Sequence, residues 1–340
     1  MQKVSLWLCA ITVLCLLSCN QDDRQEDFNI NNTKQLYNTD FTKQYLGKNE
    51  LSVMPYRTNY LLEGDIMISN ELLSEKPFLG KSAGLNRQRW SDNMVYYTIA
   101  SDMPLSKKRW IDDAIIHWEA NTNLRFQERT NQSNYVDFVN TNDNFCTSFV
   151  GMIGGRQEAT VGNCSTGVMI HEIGHAIGLF HEHNRSDRDQ YVRIVSENIQ
   201  PGFENAFSKY TARGIDGTDY TATLDFMSIM MYFPTAFSVN GNPTITKLDG
   251  SSYQWQQQVL SEGDIEGINI MYPTDGTGGG NGEVTICDMV EEWNLNTTYN
   301  LGDRVVYLGN LFEKTSINWT FIAFCDEGKN IFSGKLPGDN

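Results

Sequence analysis

The stretch His171-Glu172-Ile173-Gly174-His175-Ala176-Ile177-Gly178-Leu179-Phe180-His181 constrains this chain more than any other. Successive residues of a helix turn by about 100°, so His171 and His175 lie one turn apart on the same face. Two imidazoles at that spacing can ligate one cation, and Glu172 beside them brings a carboxylate near the open coordination position. Gly178 can take the left-handed conformation that ends a helix and turns the chain back. That return lets His181 complete a set of three nitrogens. Three protein ligands plus water is the open geometry of catalytic zinc, whereas a structural site closes with four, and three imidazoles favour zinc among divalent metals. The chain has 5 histidines and three of them fall in this segment. A histidine elsewhere is more often packed or solvated than a ligand. By that reasoning His183, whose spacing fits no ligand role, is a neighbour of the ligands or a surface residue, and His117, at the border of an apolar face, is a packed histidine.

Around this segment the pattern from Trp90 onward is that of a folded domain. Met94–Ile99 is rich in β-branched and aromatic residues and predicts a strand. Ser106 opens a helix whose Trp110, Ile111, Ala114, Ile115 and Trp118 share one face. Further strands are expected at Leu124–Glu128, Tyr135–Val139 and Phe145–Met152. Ser261 begins another helix, with Asp264 placed as in a capping box and Ile265, Ile268 and Met271 following. The Gly-rich run at residues 274–282 is a flexible linker by composition, and residues 283–340 are too few for a large core.

Lys3 and the apolar run from Leu6 to Leu17 have the length of a signal-peptide core and are too short to span a bilayer comfortably. The ending Leu16-Leu17-Ser18-Cys19 resembles a bacterial lipobox, which implies lipidation of Cys19, and Asn20-Gln21-Asp22-Asp23 is similar to the acidic surface-export tag of some bacterial lipoproteins. The alternative is a plain secretory signal cut nearby. Either way the expectation is an exported protein, as an outer-membrane lipoprotein at the cell surface or in secreted form. Membrane contact would come only through the lipid anchor. Outside the leader stand Cys146, Cys164, Cys287 and Cys325, an even number suited to two disulfides in an oxidising compartment. The simplest connectivity pairs neighbours within each domain, and sequence leaves the others open. A net charge of −16 with no basic stripe excludes a nucleic-acid binder. Residues 20–50 are polar and read as a tether.

The longer run from His171 to Asp189, ending His181-Glu182-His183-Asn184-Arg185-Ser186-Asp187-Arg188-Asp189, resembles the signature of astacin metallopeptidases, members of the metzincin clan. Asp225-Phe226-Met227-Ser228-Ile229-Met230-Met231-Tyr232 is similar to that family's methionine turn, although Met231 stands where the family usually has His. The resemblance covers about Trp90 to Tyr272. It implies an α+β, zincin-like catalytic domain of two subdomains, with a twisted, mostly parallel but mixed sheet and an active-site helix. It further implies that His171, His175 and His181 bind one Zn2+, that Glu172 is the catalytic base, that Met230 is the floor beneath the metal and that Tyr232 reaches it. Cys146 and Cys164 match one family disulfide. The other is missing, because Asn123 replaces its first cysteine, and looser domain ends are expected.

The same resemblance carries the activity and its control. The implied reaction is zinc-dependent hydrolysis of peptide bonds in proteins or peptides, with Cys146–Gly151 as the edge strand that pairs with extended substrate. Leu62-Glu63-Gly64-Asp65-Ile66 resembles the astacin propeptide switch, in which an aspartate, here Asp65, takes the open zinc position until the propeptide is cut. The cut is expected between Lys81 and Trp90, and the new N-terminus would contact Glu182. Read without the family, the segment is an ordinary Gly-Asp turn. The domain order expected is a signal peptide with lipobox at 1–18, tether and propeptide at 19–86, peptidase domain at 87–273, linker at 274–282 and a small all-β module at 283–340. In that module Trp293 and Tyr299-Asn300-Leu301-Gly302-Asp303-Arg304-Val305-Val306-Tyr307 resemble chitin-binding-type carbohydrate modules, which implies a glycan ligand with Trp319 as a stacking candidate. Two other functions compete: a catalytically inactive surface adhesin on a peptidase scaffold, and a metzincin of another family acting on a defined partner.

Overall fold

The computed structural model describes residues 41–77, 89–213, 215 and 217–274, and in the C-terminal region 298–299, 302–307, 310–314 and 319–324. Cys19, Cys287, Cys325 and Trp293, with the leader and linker, lie outside the described residues.

Four strands open the structure: β1 (Thr42–Leu46), β2 (Asn49–Tyr56), β3 (Asn59–Leu62) and β4 (Ile66–Ile68). Each pairs antiparallel with the next. The tether expected up to residue 50 therefore ends earlier. Polar side chains dominate residues 42–50, yet Leu46, Leu51 and Val53 turn inward and pack with Leu62, Ile66, Ile68, Val150, Tyr210 and Ile215. Three inward apolar residues are enough to fix a strand when a partner surface covers them.

The catalytic-domain elements follow as β5 (Met94–Ile99), α1 (Leu105–Asn121), β6 (Arg125–Glu128), β7 (Tyr135–Asn140), β8 (Thr147–Phe149), β9 (Arg156–Val161) and α2 (Thr166–Ala176). Strands β1 to β9 make one sheet in the order β1-β2-β3-β4-β8-β9-β7-β5-β6. The pairs β5–β6, β5–β7 and β7–β9 are parallel, β8–β9 is antiparallel, and β4 joins β8 in parallel register through Ile66↔Ser148 and Met67↔Phe149. The mixed sheet expected is present. The strand expected at Phe145–Met152 is confined to Thr147–Phe149. Strand β9 has no counterpart among the expected strands, because Arg156, Gln157 and Glu158 hide its period. Gln157 points inward and is satisfied by donating to the Gly151 carbonyl (3.0 Å).

Helix α1 lays Ile111, Ala114, Ile115 and Trp118 against α2 and the sheet. Trp118 is fully buried and its indole N–H donates to the Ile170 carbonyl (3.0 Å), tying α1 to the middle of α2. Trp118→Ala leaves a large cavity and removes the indole bond between the two helices, so chemical denaturation should show a loss of about 4 kcal/mol. His117 is packed as expected, accepting from the Leu260 N–H (3.0 Å).

Past α2 the chain runs mostly through short turns of 3-10 helix, with one antiparallel ribbon of β10 (Val192–Ile194) and β11 (Ile245–Lys247), to α3 (Glu262–Met271). Ser261 and Asp264 form the capping box foreseen at its start. The domain ends are joined by hydrogen bonds. Asn123, at the missing cysteine, donates through its side chain to the Tyr272 carbonyl (3.0 Å) and through its backbone to Asn269 Oδ1 (2.9 Å). The Tyr272 hydroxyl donates to the Ile177 carbonyl (2.7 Å), and the Trp90 indole donates to that of Ala176 (2.9 Å). An amide at position 123 thus reaches the same partner segment without a covalent bond. In the C-terminal region β12 (Arg304–Tyr307), β13 (Asn310–Lys314) and β14 (Trp319–Phe324) form an antiparallel sheet. Arg304 forms an ion pair with Asp113 of α1.

Candidate metal centre

Helix α2 starts where the Ser165 hydroxyl accepts from the Val168 N–H, and it presents His171, Glu172 and His175 inside the protein. Gly178 ends it at φ 117°, a value an L-residue rarely adopts. The Gly178 N–H donates to the His175 carbonyl (2.8 Å) and the Leu179 N–H to that of Gly174 (2.9 Å). This return places the Leu179 carbonyl against His175 Nδ1 and brings His181 alongside.

The three imidazoles are oriented from behind. His171 Nδ1 donates to the Ile229 carbonyl (2.8 Å), His175 Nδ1 to the Leu179 carbonyl (2.8 Å) and His181 Nδ1 to Glu63 Oε2 (2.5 Å). With each Nδ1 carrying its proton, the Nε2 lone pairs are left to converge. His171 Nε2 and His181 Nε2 are 3.3 Å apart. Asp65 enters the same space, its Oδ2 at 3.1 Å from His181 Nε2 and 3.5 Å from His171 Nε2, its Oδ1 at 3.9 Å from His175 Nε2. One donor atom from each of the four residues lies within 4.8 Å of all the others.

This arrangement fits a cation. His175 Nε2, Asp65 Oδ1 and Glu172 Oε2 are buried with no hydrogen-bond partner, an uncommon state for polar atoms that a bound cation and its water would resolve. The donor set of three imidazoles and a carboxylate suits zinc. The charges respond to the same crowding. Burial, aided by the Asp65 charge, holds Glu172 well above the ordinary carboxylate range. Burial pulls His175 down to about 3, with the neighbouring imidazoles adding to it. Burial would also lower His181, but Asp65 and Glu63 carry it up to about 9.

The methionine turn packs under α2. Met230 is buried, and its Sδ would lie 2.7 Å from a Cβ placed on Gly174, so a larger residue there would force the methionine side chain to move. Asp264 of the capping box also accepts from the Ser228 hydroxyl (2.6 Å) and the Ile229 N–H (2.8 Å), so α3 braces the turn. Tyr232 donates its hydroxyl to the Glu63 carbonyl (2.6 Å). His183 is a correction to the surface alternative. It is fully buried, donates to the Ala206 carbonyl (2.9 Å) and lies under the Tyr232 ring at 4.0 Å. Glu182 accepts from the Asp225 N–H (2.9 Å), and burial pushes its pKa up to about 8. It lines a cavity of about 260 Å³ with Arg89, Arg185, Asp219, Tyr220 and Asp225. Cys146, just before β8, and Cys164, just before α2, are disulfide-bonded.

Glu63 is a site residue that sequence reasoning missed. It is buried, accepts from Asn184 Nδ2 (2.6 Å) and pairs with Arg213. Burial would raise its pKa, but Arg213 and His181 hold it down at about 2. Its only signal is local, the Leu-Glu-Gly-Asp segment itself. Arg213 lies 150 residues away with nothing around it to mark it.

Comparison with known proteins agrees with this geometry. Residues 83–273 match the sequence model of the astacin peptidase family. The chain is 35% identical over 229 residues to zinc metalloproteinase nas-13 of Caenorhabditis elegans, covering 62% of this chain and 49% of that protein. Zinc metalloproteinase nas-4 of the same organism is 31% identical over 296 residues, 82% of this chain and 93% of the relative. This chain thus spans about half of the first relative and nearly all of the second. Among solved structures, high choriolytic enzyme 1, a hatching enzyme zinc-protease from Oryzias latipes, is 32% identical over 55% of this chain and 93% of its own, with a TM-score of 0.49. With the family match spanning more than half of its length and the three converging imidazoles lying inside the matched region, this chain belongs to the astacin family of zinc metallopeptidases.

Proposed function

We propose that this chain is a zinc-dependent endopeptidase made as a latent precursor, acting on proteins or peptides. One observation carries the proposal: three Nε2 atoms and the prosegment's Asp65 share one buried space beside the unpartnered Glu172 Oε2. A zinc ion held by His171, His175 and His181 supplies Lewis acidity at a scissile carbonyl and lowers the pKa of water next to it. Glu172 takes the proton of the attacking water and passes it to the leaving amine. Tyr232, once released from the Glu63 carbonyl, donates to the oxyanion, an interaction that is strongest in the transition state. Strand β8 offers its edge to an extended substrate once β4 departs.

The latent state follows from the same contacts. Asp65 fills the ligand space, Glu63 occupies Tyr232, and β4 covers β8. After cleavage between Lys81 and Trp90, the new ammonium would enter the cavity at Glu182, where a cation relieves a buried carboxyl. The alternative of an inactive adhesin is not favoured: the three imidazoles share one space with Asp65, and Glu172 is buried on the same helix as two of them. The division into propeptide (19–86), peptidase domain (87–273) and C-terminal module belongs to this proposal. So do export with Cys19 lipidated and glycan binding by the antiparallel sheet of residues 304–324.

Zinc analysis together with protein digestion tests the enzyme. The full chain should contain one zinc, and limited proteolysis at residues 81–90 should release casein-cleaving activity that chelation abolishes and zinc restores. A processed, zinc-loaded chain that cuts no peptide would refute the proposal.

A further inference from the structure

The prosegment also grips the rest of the chain away from the metal centre. Phe41 precedes β1, the outermost strand of the sheet, and its ring lies on Gly202 and Phe203, apart from the β4–β8 contact. The Phe41 and Phe203 rings meet edge to face with centroids 4.8 Å apart, a favoured arrangement of two aromatic rings. Gly202 makes room for the contact: it adopts φ 98°, and a Cβ there would overlap the Phe41 ring. Ser52 of β2 donates its hydroxyl to the Gly202 carbonyl (3.2 Å), so a second strand holds the same spot.

The recess is built from residues that stay when the prosegment leaves. Phe203 is 2% exposed and stacks on Phe237, with centroids 4.1 Å apart and planes 13° from parallel. Phe237 holds a left-handed backbone at φ 49°, which is uncommon for a bulky residue. The Gln200 N–H donates to the Phe237 carbonyl (2.8 Å) and the Val239 N–H to that of Asn198 (2.9 Å), and these bonds fix it there. Such strain persists where the surroundings impose it, and it is concentrated at functional sites. The wall continues from Phe237 to Tyr232, whose ring centroid is 5.6 Å away. Aromatic rings thus run unbroken from Phe41 to the side chain that would hold the oxyanion.

Departure of Phe41 opens the Gly202 backbone and the Phe203 edge in a recess already shaped for a flat ring. A charged side chain is penalised in so apolar a place, a small one leaves it wet, and an aromatic one fills it. We infer that the Gly202–Phe203–Phe237 recess is a docking subsite of the active enzyme for an aromatic side chain of the substrate. Three ring-to-ring steps separate it from Tyr232, so that side chain belongs about four residues from the scissile bond along an extended chain. This rests on the peptidase function proposed above, and it gives Phe41 the part of a substrate side chain in the precursor.

The test uses the full chain processed by limited proteolysis and quenched peptides that differ only in Phe, Leu, Ala or Lys at the third, fourth or fifth residue on either side of the cleaved bond. At one of these positions Phe should exceed Ala by about 10-fold or more in kcat/KM, chiefly through KM, with Leu between them and Lys no better than Ala. Phe203→Ala should erase the Phe-over-Ala ratio while the Ala peptide is cut at the parental rate. If that variant does not fold, the wild-type ratio still decides. Equal cleavage of Phe and Ala peptides at every position overturns the inference. In that case weaker latency of an uncut Phe41→Ala chain would make the recess an anchor for the prosegment alone. Self-association of the processed chain that Phe203→Ala abolishes would assign it to a second copy. Failure to cut any peptide strikes the peptidase proposal instead, so the two failures are distinguishable.

Discussion

Glu172→Ala is expected to keep one zinc per chain and, after processing, to cut casein about 1,000- to 10,000-fold more slowly than the parent protein. The two halves of this result come from different atoms. Zinc retention depends on His171, His175 and His181; the first two are anchored through Nδ1 on the Ile229 and Leu179 carbonyls, which processing leaves in place, without help from Glu172. The rate depends on the Glu172 carboxylate, whose Oε2 is buried and faces no protein donor. Alanine removes the base and leaves the water with no group to take its proton. Metal analysis and a casein assay on the same preparation separate the effects. Loss of zinc would make Glu172 a structural residue, and full activity without the carboxylate would sink the proton-transfer role.

The second large effect is on latency. Asp65→Ala in the uncut full chain should raise peptidase activity at least about 100-fold, which corresponds to about 3 kcal/mol of lost inhibition. Asp65 sets two carboxylate oxygens among three imidazoles, and alanine leaves that space open to water and substrate. The strands on either side remain, because β3 and β4 pair through Leu62↔Ile66 and Leu61↔Met67, outside the changed side chain. The variant should therefore still display its prosegment as folded, with unaltered resistance of residues 41–77 to proteolysis. An uncut Asp65→Ala chain as silent as the parent would show that covering β8, not filling the ligand space, keeps the enzyme off.

How far the sequence could be read depended on the range of each signal. The metal ligands were legible because their geometry is helical and local: a spacing of four, then a glycine that must turn left-handed. Ser261 with Asp264 was legible for the same reason. What stayed hidden was long-range. The bracing of the methionine turn by Asp264 joins residues 35 and 36 positions apart, and the Glu63–Arg213 pair spans 150. No periodicity reports such pairs. Strand β9 was hidden because its buried glutamine finds a backbone partner, which a pattern of apolar residues cannot show. The polar stretch before residue 50 misled in the opposite sense. Its few apolar side chains count for more than its average, since another part of the chain supplies the surface they cover.

That last point bears on the history of the molecule. Of the nine buried side chains in the cluster that includes Leu51, six come from residues 46–68, and Val150, Tyr210 and Ile215 are the rest. A chain cut between Lys81 and Trp90, as proposed, would keep the three and lose the six. Under the proposed processing those three would lose apolar cover, so the cut chain should unfold at a lower temperature than the precursor.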